Sequence, residues 1–364
     1  MTSTERLYAR LKGKPVDKIP NMNIVMTLVA KVAGVSFREY VQDYRKLVEG
    51  NLICAERFGF DSVGVISDPM REASAFGAEL IYPEEGVPYS DPPLLFDGID
   101  LGKVKIFDPL ESPRTLDRIK GVELLRQKVL SDYPVIGWVE GVLAETADLR
   151  GVNTLMYDLV EEDDDEGEDN DRCSSDDEGD DGFENRLDSR CKKNSPLRDL
   201  MDVVYTQQCR FALEQIKAGA DVIGVGNAVA SLIGPGLYKE FGLSYDIALT
   251  RFIQENGAKV KLHICGNITA IMPLLARVAP DIIDIDWMVD LGWASEVFSG
   301  TGTSVCGNVN PVAVLYQGDA ALVEEKILEC IGIDDPTLLF SAGCEVPAAT
   351  PVENLLLMDR LLWV

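Results

Sequence analysis

The chain has 364 residues, 46% of them hydrophobic, and a formal net charge of −27. That length accommodates one barrel-sized domain or two ordinary ones, and the hydrophobic share excludes an intrinsically disordered chain. The acidic balance argues against nucleic acid as a partner, and no apolar run approaches the ~18 residues of a membrane-spanning helix.

The opening stretch, Met1-Thr2-Ser3-Thr4-Glu5-Arg6-Leu7-Tyr8, lacks the apolar core of a signal peptide, so a cytoplasmic location is expected. After an N-terminal helical extension, short β-branched apolar runs alternate with longer helical patterns. Strands are predicted over Ile19–Val25, Asp61–Ile66, Val135–Glu140, Asp221–Gly226, Lys259–Cys265, Asp281–Asp286, Ser304–Val309 and Leu338–Cys344. Amphipathic helices are predicted over Arg38–Phe58, Asp199–Ala218, Gly236–Asn256 and Ala320–Ile331. Eight strands separated by helices, apolar on both faces, point to the α/β class and a single (β/α)8 TIM barrel spanning 1–364. A doubly wound open sheet alternates similarly, but the count of eight favours the barrel.

One segment breaks the alternation. Between Glu161 and Cys191 there are 16 acidic residues against Arg172, Arg186 and Arg190, a net charge of −13. Such a tract repels itself and has little to bury, so an acidic, disordered insertion is expected over 161–195. A calcium loop of the EF-hand type needs acidic side chains at positions 1, 3 and 5, Gly at 6 and Glu at 12. With Gly167 at position 6, Cys173 falls at 12; with Gly182 there, Gly179 falls at 3 and Asp188 at 12. Neither register fits.

In a barrel the chemistry sits at the C-terminal ends of the strands. The polar residues there are Asp68, Glu140, Asn227, His263, Cys265, Asp286, Asn308 and Cys344. His263 is the sole histidine, and in His263-Ile264-Cys265-Gly266 the imidazole and the thiol project from one face of a strand. With Cys344 at the end of the last strand they make a candidate His/Cys/Cys zinc site with its fourth position open. The eight cysteines are scattered, which argues against a disulfide framework; Cys54, Cys209 and Cys330 fall in helical patterns and read as core. Glu140 and Asp286 are each a candidate fourth ligand, or a partner that fixes the histidine tautomer.

Several segments resemble the uroporphyrinogen decarboxylase superfamily: Arg10-Leu11-Lys12-Gly13-Lys14-Pro15-Val16-Asp17-Lys18-Ile19-Pro20, Ser231-Leu232-Ile233-Gly234-Pro235 with the following 238–245, Gly307-Asn308-Val309-Asn310-Pro311, and Gly343-Cys344-Glu345-Val346-Pro347 with Thr350-Pro351-Val352-Glu353-Asn354. Within it, His263, Cys265 and Cys344 match the zinc ligands of the branch that moves methyl groups from methylcobamide to coenzyme M. The resemblance implies the barrel fold, zinc, a corrinoid co-substrate carried by a partner protein, and a small-molecule thiol as methyl acceptor. It also implies that zinc activates the bound thiol as a thiolate, which attacks the methyl carbon on cobalt. Asn310 stands where the family often has Asp. The decarboxylase proper has an arginine-bearing segment after its first strand; here Asn21-Met22-Asn23-Ile24-Val25-Met26-Thr27-Leu28 carries none. Asp68 is similar to the decarboxylase's catalytic aspartate, which keeps a metal-free decarboxylase as the alternative. A non-catalytic corrinoid-binding protein, with the acidic insertion as docking arm, is the second alternative.

Overall fold

A computed structural model of the chain describes residues 1–169 and 195–364, without the side chains of 163–169. Seven strands form one parallel sheet in chain order: β1 (Val63–Gly64), β2 (Val135–Glu140), β3 (Val222–Gly226), β4 (Lys259–Ile264), β5 (Ile282–Ile285), β6 (Ser304–Val309) and β7 (Leu339–Ala342). Helices lie between them, and β2 and β3 are buried along their whole length. Burial on both faces is why these strands read as unbroken apolar runs. Because all seven run the same way, their C-terminal ends, and the residues that follow, share one end of the sheet.

The run Ile19–Val25, expected as the first strand, is not a regular one. Pro20 has no N–H to donate. Asn23 offers its side-chain Oδ1 to the Ala342 N–H at 2.6 Å. What forms is one parallel bridge between Asn21 and Phe340, with Phe340 N donating to Pro20 O at 3.0 Å and Met22 N to Phe340 O at 2.7 Å. On the other side, Asn21 O accepts from the backbone N–H of Asp61 (2.8 Å), just ahead of β1. One segment therefore binds both edges of the sheet, which curls round to meet it. β1 is also shorter than the expected 61–66.

Two predicted helices are subdivided. The pattern over Arg38–Phe58 becomes Phe37–Gln42 and Tyr44–Phe58, because Asp43 takes an extended conformation and caps the second helix through its side chain, which accepts from Arg45 N. The pattern over Gly236–Asn256 starts as Gly234–Leu237, passes through a π-helical turn at Tyr238–Gly242 and continues as Leu243–Glu255. The N-terminal extension is the helix Ser3–Arg10, closed by a capping box between Thr2 and Glu5. The helix Val152–Asp169 reaches into the predicted insertion. Residues 170–194 of the predicted insertion, with Cys173 and Cys191, lie outside the described residues. Among the described residues no helix is long and apolar enough to cross a membrane.

Candidate active site

The register of β4 on β5 builds the first half of the site. Lys261 and His263 share one face of β4, Cys265 follows directly after its end, and His263 pairs with Asp284 of β5. His263 Nδ1 lies 3.1 Å from the Asp284 carbonyl oxygen and 3.4 Å from its Oδ2. The Asp284 carboxylate is itself fixed: Lys261 Nζ lies 2.8 Å from Oδ2, and Ser341 Oγ of β7 donates to Oδ1 at 2.6 Å. Burial opposes ionisation, but Lys261 and His263 hold Asp284 down at about 2. With Nδ1 turned to Asp284, His263 Nε2 is directed away from β5 and lies 3.1 Å from Cys265 Sγ. Cys265 Sγ lies 3.6 Å from Cys344 Sγ, and one ligand atom from each of the three residues falls within 4.8 Å of the others.

Cys344 reaches this point because the chain after β7 passes hard against the chain after β5. A Cβ on Gly343 would stand 2.1 Å from the backbone N of Trp287, so only glycine fits there. A hydrogen bond from the Cys265 thiol, opposed by burial and reinforced by His263, pulls Cys344 down to about 4. The same bond and burial push Cys265 up. The set of one imidazole and two sulfurs, one of them readily ionised, suits a soft divalent metal.

The second half consists of carboxylates and arginines. Glu140, at the end of β2, accepts from Arg71 Nη2 at 2.9 Å and from Trp138 Nε1 at 3.2 Å. Glu72 lies 3.3 Å from Arg71 Nε and accepts from the Glu140 backbone N–H at 3.0 Å. Asp68 accepts from Arg114 Nη2 and from Ser67 Oγ, both at 2.6 Å, and its carbonyl accepts from Arg71. Burial opposes ionisation of Asp68, but Arg114 and Arg71 hold its carboxyl below the usual carboxylate range. Glu140 goes the other way: burial and the Glu72 charge outweigh Arg71 and push it up to about 7. Behind them Glu145 is fully buried, with neither carboxylate oxygen hydrogen-bonded, and burial raises its pKa strongly.

Both halves face one cavity of about 180 Å³. Asp68, Glu140, Asn227, His263, Cys265 and Cys344, all singled out in the sequence, line it together with Glu345. Asn227 is already engaged: its Nδ2 donates to both carboxylate oxygens of Asp246 at 3.0 Å, and its backbone N–H donates to His263 O at 2.9 Å. Asp286 and Asn308 are not on this wall. Asp286 Oδ2 accepts from the Gly266 N–H at 2.8 Å, tying down the turn after Cys265. Asn308 donates to the carbonyls of Asp286 (3.0 Å) and Val289 (2.7 Å) and lines a separate cavity of about 430 Å³. Sequence reasoning missed Asp284, which sits in mid-strand, and Arg71, Glu72 and Arg114, which sit in helices. The available signal was Asp68-Pro69-Met70-Arg71-Glu72, a dense charge cluster directly after an apolar strand.

The chain resembles known proteins over nearly its whole length. The chain is 26% identical to the methylcobamide:CoM methyltransferase MtbA of Methanosarcina mazei over 97% of its length and 95% of that protein's. It is 24% identical to the methylcobamide:CoM methyltransferase MtaA of Methanosarcina barkeri, with the same coverage. Its fold matches the solved structure of a methyltransferase from Methanosarcina mazei with a TM-score of 0.82 at 22% identity, covering 99% of this chain and 98% of that one. The uroporphyrinogen decarboxylase (URO-D) family model matches residues 2–165 and 176–360, and the chain belongs to that family.

Proposed function

We propose that this chain is a zinc-dependent methyltransferase that moves a methyl group from a methylated corrinoid, presented by a partner protein, to a small thiol of the kind coenzyme M represents. The observation that carries the reading is the convergence of His263, Cys265 and Cys344 within 4.8 Å on the wall of a small cavity. The frame is read as a single (β/α)8 domain whose eighth position is filled by the irregular segment at 19–25. Zinc held by those three residues would lower the pKa of a thiol bound at its fourth position.

The chain's own residues do the rest. Asp284, clamped by Lys261 and Ser341, holds His263 in the tautomer that presents Nε2. The apolar wall of Ile24, Met26, Ile66 and Trp138 limits water around the sulfur. Glu140 and Asp68 face the remainder of the acceptor, Asn227 and Asp286 hold the loops that carry the ligands, and Asn308 supports Asp286 from behind. In the transfer the thiolate sulfur forms a bond to the methyl carbon, the carbon–cobalt bond breaks, and cobalt keeps the electron pair; the thiol's proton leaves to water. A decarboxylase acting on a polycarboxylate finds little support, since among the described residues no lysine or arginine lines the cavity. Metal analysis tests the reading. The purified protein should hold about one zinc per chain, and full zinc occupancy in the Cys344→Ala protein would overturn the ligand assignment.

A further inference from the structure

Methyl transfer to a thiol releases one proton, and a cavity of about 180 Å³ beside the ligand residues has few groups able to receive it. Three carboxylates line it: Asp68, Glu140 and Glu345. Asp68 is fully engaged, Oδ2 by Arg114 and Ser67 and Oδ1 by the Met70 N–H at 3.1 Å. Glu345 is anchored through Oε1 to the Thr27 N–H and hydroxyl. Glu140 is anchored through Oε1 to Arg71 and Trp138, and its Oε2 has no hydrogen-bond partner among the described residues. The strand register shows where that free oxygen lies. Glu140 pairs with Gly226, and Gly226 pairs with His263. The three stand in one row across β2, β3 and β4, so the outer two are two strand spacings apart, about 10 Å between Cα atoms. The middle position has no side chain, and a Cβ there would lie 2.8 Å from Glu140 Oε2. The carboxylate therefore leans over β3, on the way to His263, in the space that Gly226 leaves free.

We infer that Glu140 is the catalytic base: its Oε2 takes the proton of the acceptor thiol as that thiol settles against His263, Cys265 and Cys344. The S–H bond breaks, the electron pair stays on sulfur, and an O–H bond forms on Glu140. The carboxylic acid returns the proton to water once the methylated product has left. This rests on the methyl-transfer reading and gives the proton its first stop on the way to water. The charged groups packed around Glu140 are Arg71 and Glu72 on the helix Met70–Phe76, Asp68 ahead of that helix, and Glu145 and Asp148 on the helix Val142–Arg150. His263 faces it across Gly226. Burial, opposed by Arg71 and reinforced by Glu72, puts its carboxyl at about 7, so near neutral pH it both accepts and returns a proton.

The test counts protons without a methyl donor. The zinc-loaded protein is titrated calorimetrically with 2-mercaptoethanesulfonate in buffers of different ionisation enthalpy at about pH 8, where Glu140 is ionised and the free thiol is not. The native protein should release close to no proton to the buffer, because Glu140 keeps it, whereas Glu140→Gln should release about one per thiol bound. Zinc content should be the same in both. With methylcobalamin as donor, the variant's kcat at neutral pH should fall about a hundredfold and recover as pH rises, while native activity levels off above about pH 7. Release of a full proton by the native protein overturns the inference, and that measurement needs no variant to fold. So does loss of zinc from a folded Glu140→Gln protein, which would make Glu140 a ligand, or a proton count that moves with Glu345→Gln and not with Glu140→Gln. The expected proton counts with no methylation of any thiol by the native protein overturn the methyl-transfer reading, yet uphold Glu140 as the group that takes the thiol's proton.

Discussion

The two sides of the cavity handle protons in opposite ways. On the sulfur side a thiol, Cys344, is drawn down to about 4; on the carboxylate side a carboxyl group, Glu140, is pushed up to about 7. The usual order of acidity between Cys and Glu is inverted within one small space. The cause is how each side distributes its hydrogen-bond donors. Cys344 is surrounded by donors, the Cys265 thiol and the His263 imidazole, that favour its anion. Glu140 shares a single guanidinium with Glu72 in a largely buried site. The sulfur side is ready to take up a cation and the carboxylate side is one cation short, and both conditions follow from neighbours one or two strands away.

Four perturbations separate the two sides. The largest effect belongs to the sulfur side: His263→Ala or Cys265→Ala should reduce bound zinc from about one per chain to near zero, measured by elemental analysis, and abolish thiol methylation with it. Asp284→Ala comes next, because it leaves the buried Lys261 ammonium without its partner. A loss of about 3–5 kcal/mol in denaturant-measured stability and 10–100-fold weaker zinc binding are expected. Adding Lys261→Met should restore much of the stability but not the zinc affinity, which would show that the aspartate acts on His263 and not only on the fold. Gly343→Ala should cost about 1–3 kcal/mol or more, since its Cβ would press on the Trp287 backbone, and zinc affinity should fall as Cys344 is displaced.

The smallest effect belongs to the carboxylate side and is read through pH. Glu140 has its pKa raised from 4.5 to about 7 on folding, so between those values the native chain holds a proton that the unfolded chain has lost. Its contribution to stability is therefore present below about 4.5 and declines as pH rises toward about 7. Denaturation of the native protein and of Glu140→Gln at several pH values across that window should show this decline only in the former. Parallel curves would remove Glu140 from the account.

Much of this was legible in the chain, and the gaps have physical causes. Val135–Glu140 and Ser304–Val309 matched their predicted bounds, the former because a parallel strand buried along its whole length leaves a nearly continuous apolar run. The segment at 19–25 looked equally apolar, but Pro20 and the amide of Asn23 replaced ladder bonds that hydrophobicity does not report. His263 and Cys265 could be paired from their two-residue spacing alone. Asp284 could not, since nothing in Ile282-Ile283-Asp284-Ile285 shows that a neighbouring strand brings a lysine and an imidazole to it. Arg71 and Arg114 escaped for a related reason: they enter the site from helices, and helical charge ordinarily marks a solvated face.

The bare stretch of β3 opposite Trp138 has one more consequence. A side chain at Gly224 would lie 2.1 Å from the indole ring, so the ring rests directly on the backbone while its N–H donates to Glu140. The excited state of an indole is sensitive to a carboxyl group bonded to its nitrogen and to whatever displaces water beside it. The enzyme thus has a built-in fluorophore on the cavity wall, and its emission should change as Glu140 gains or loses charge or a ligand arrives. Trp138→Phe would isolate that signal from those of Trp287, Trp293 and Trp363.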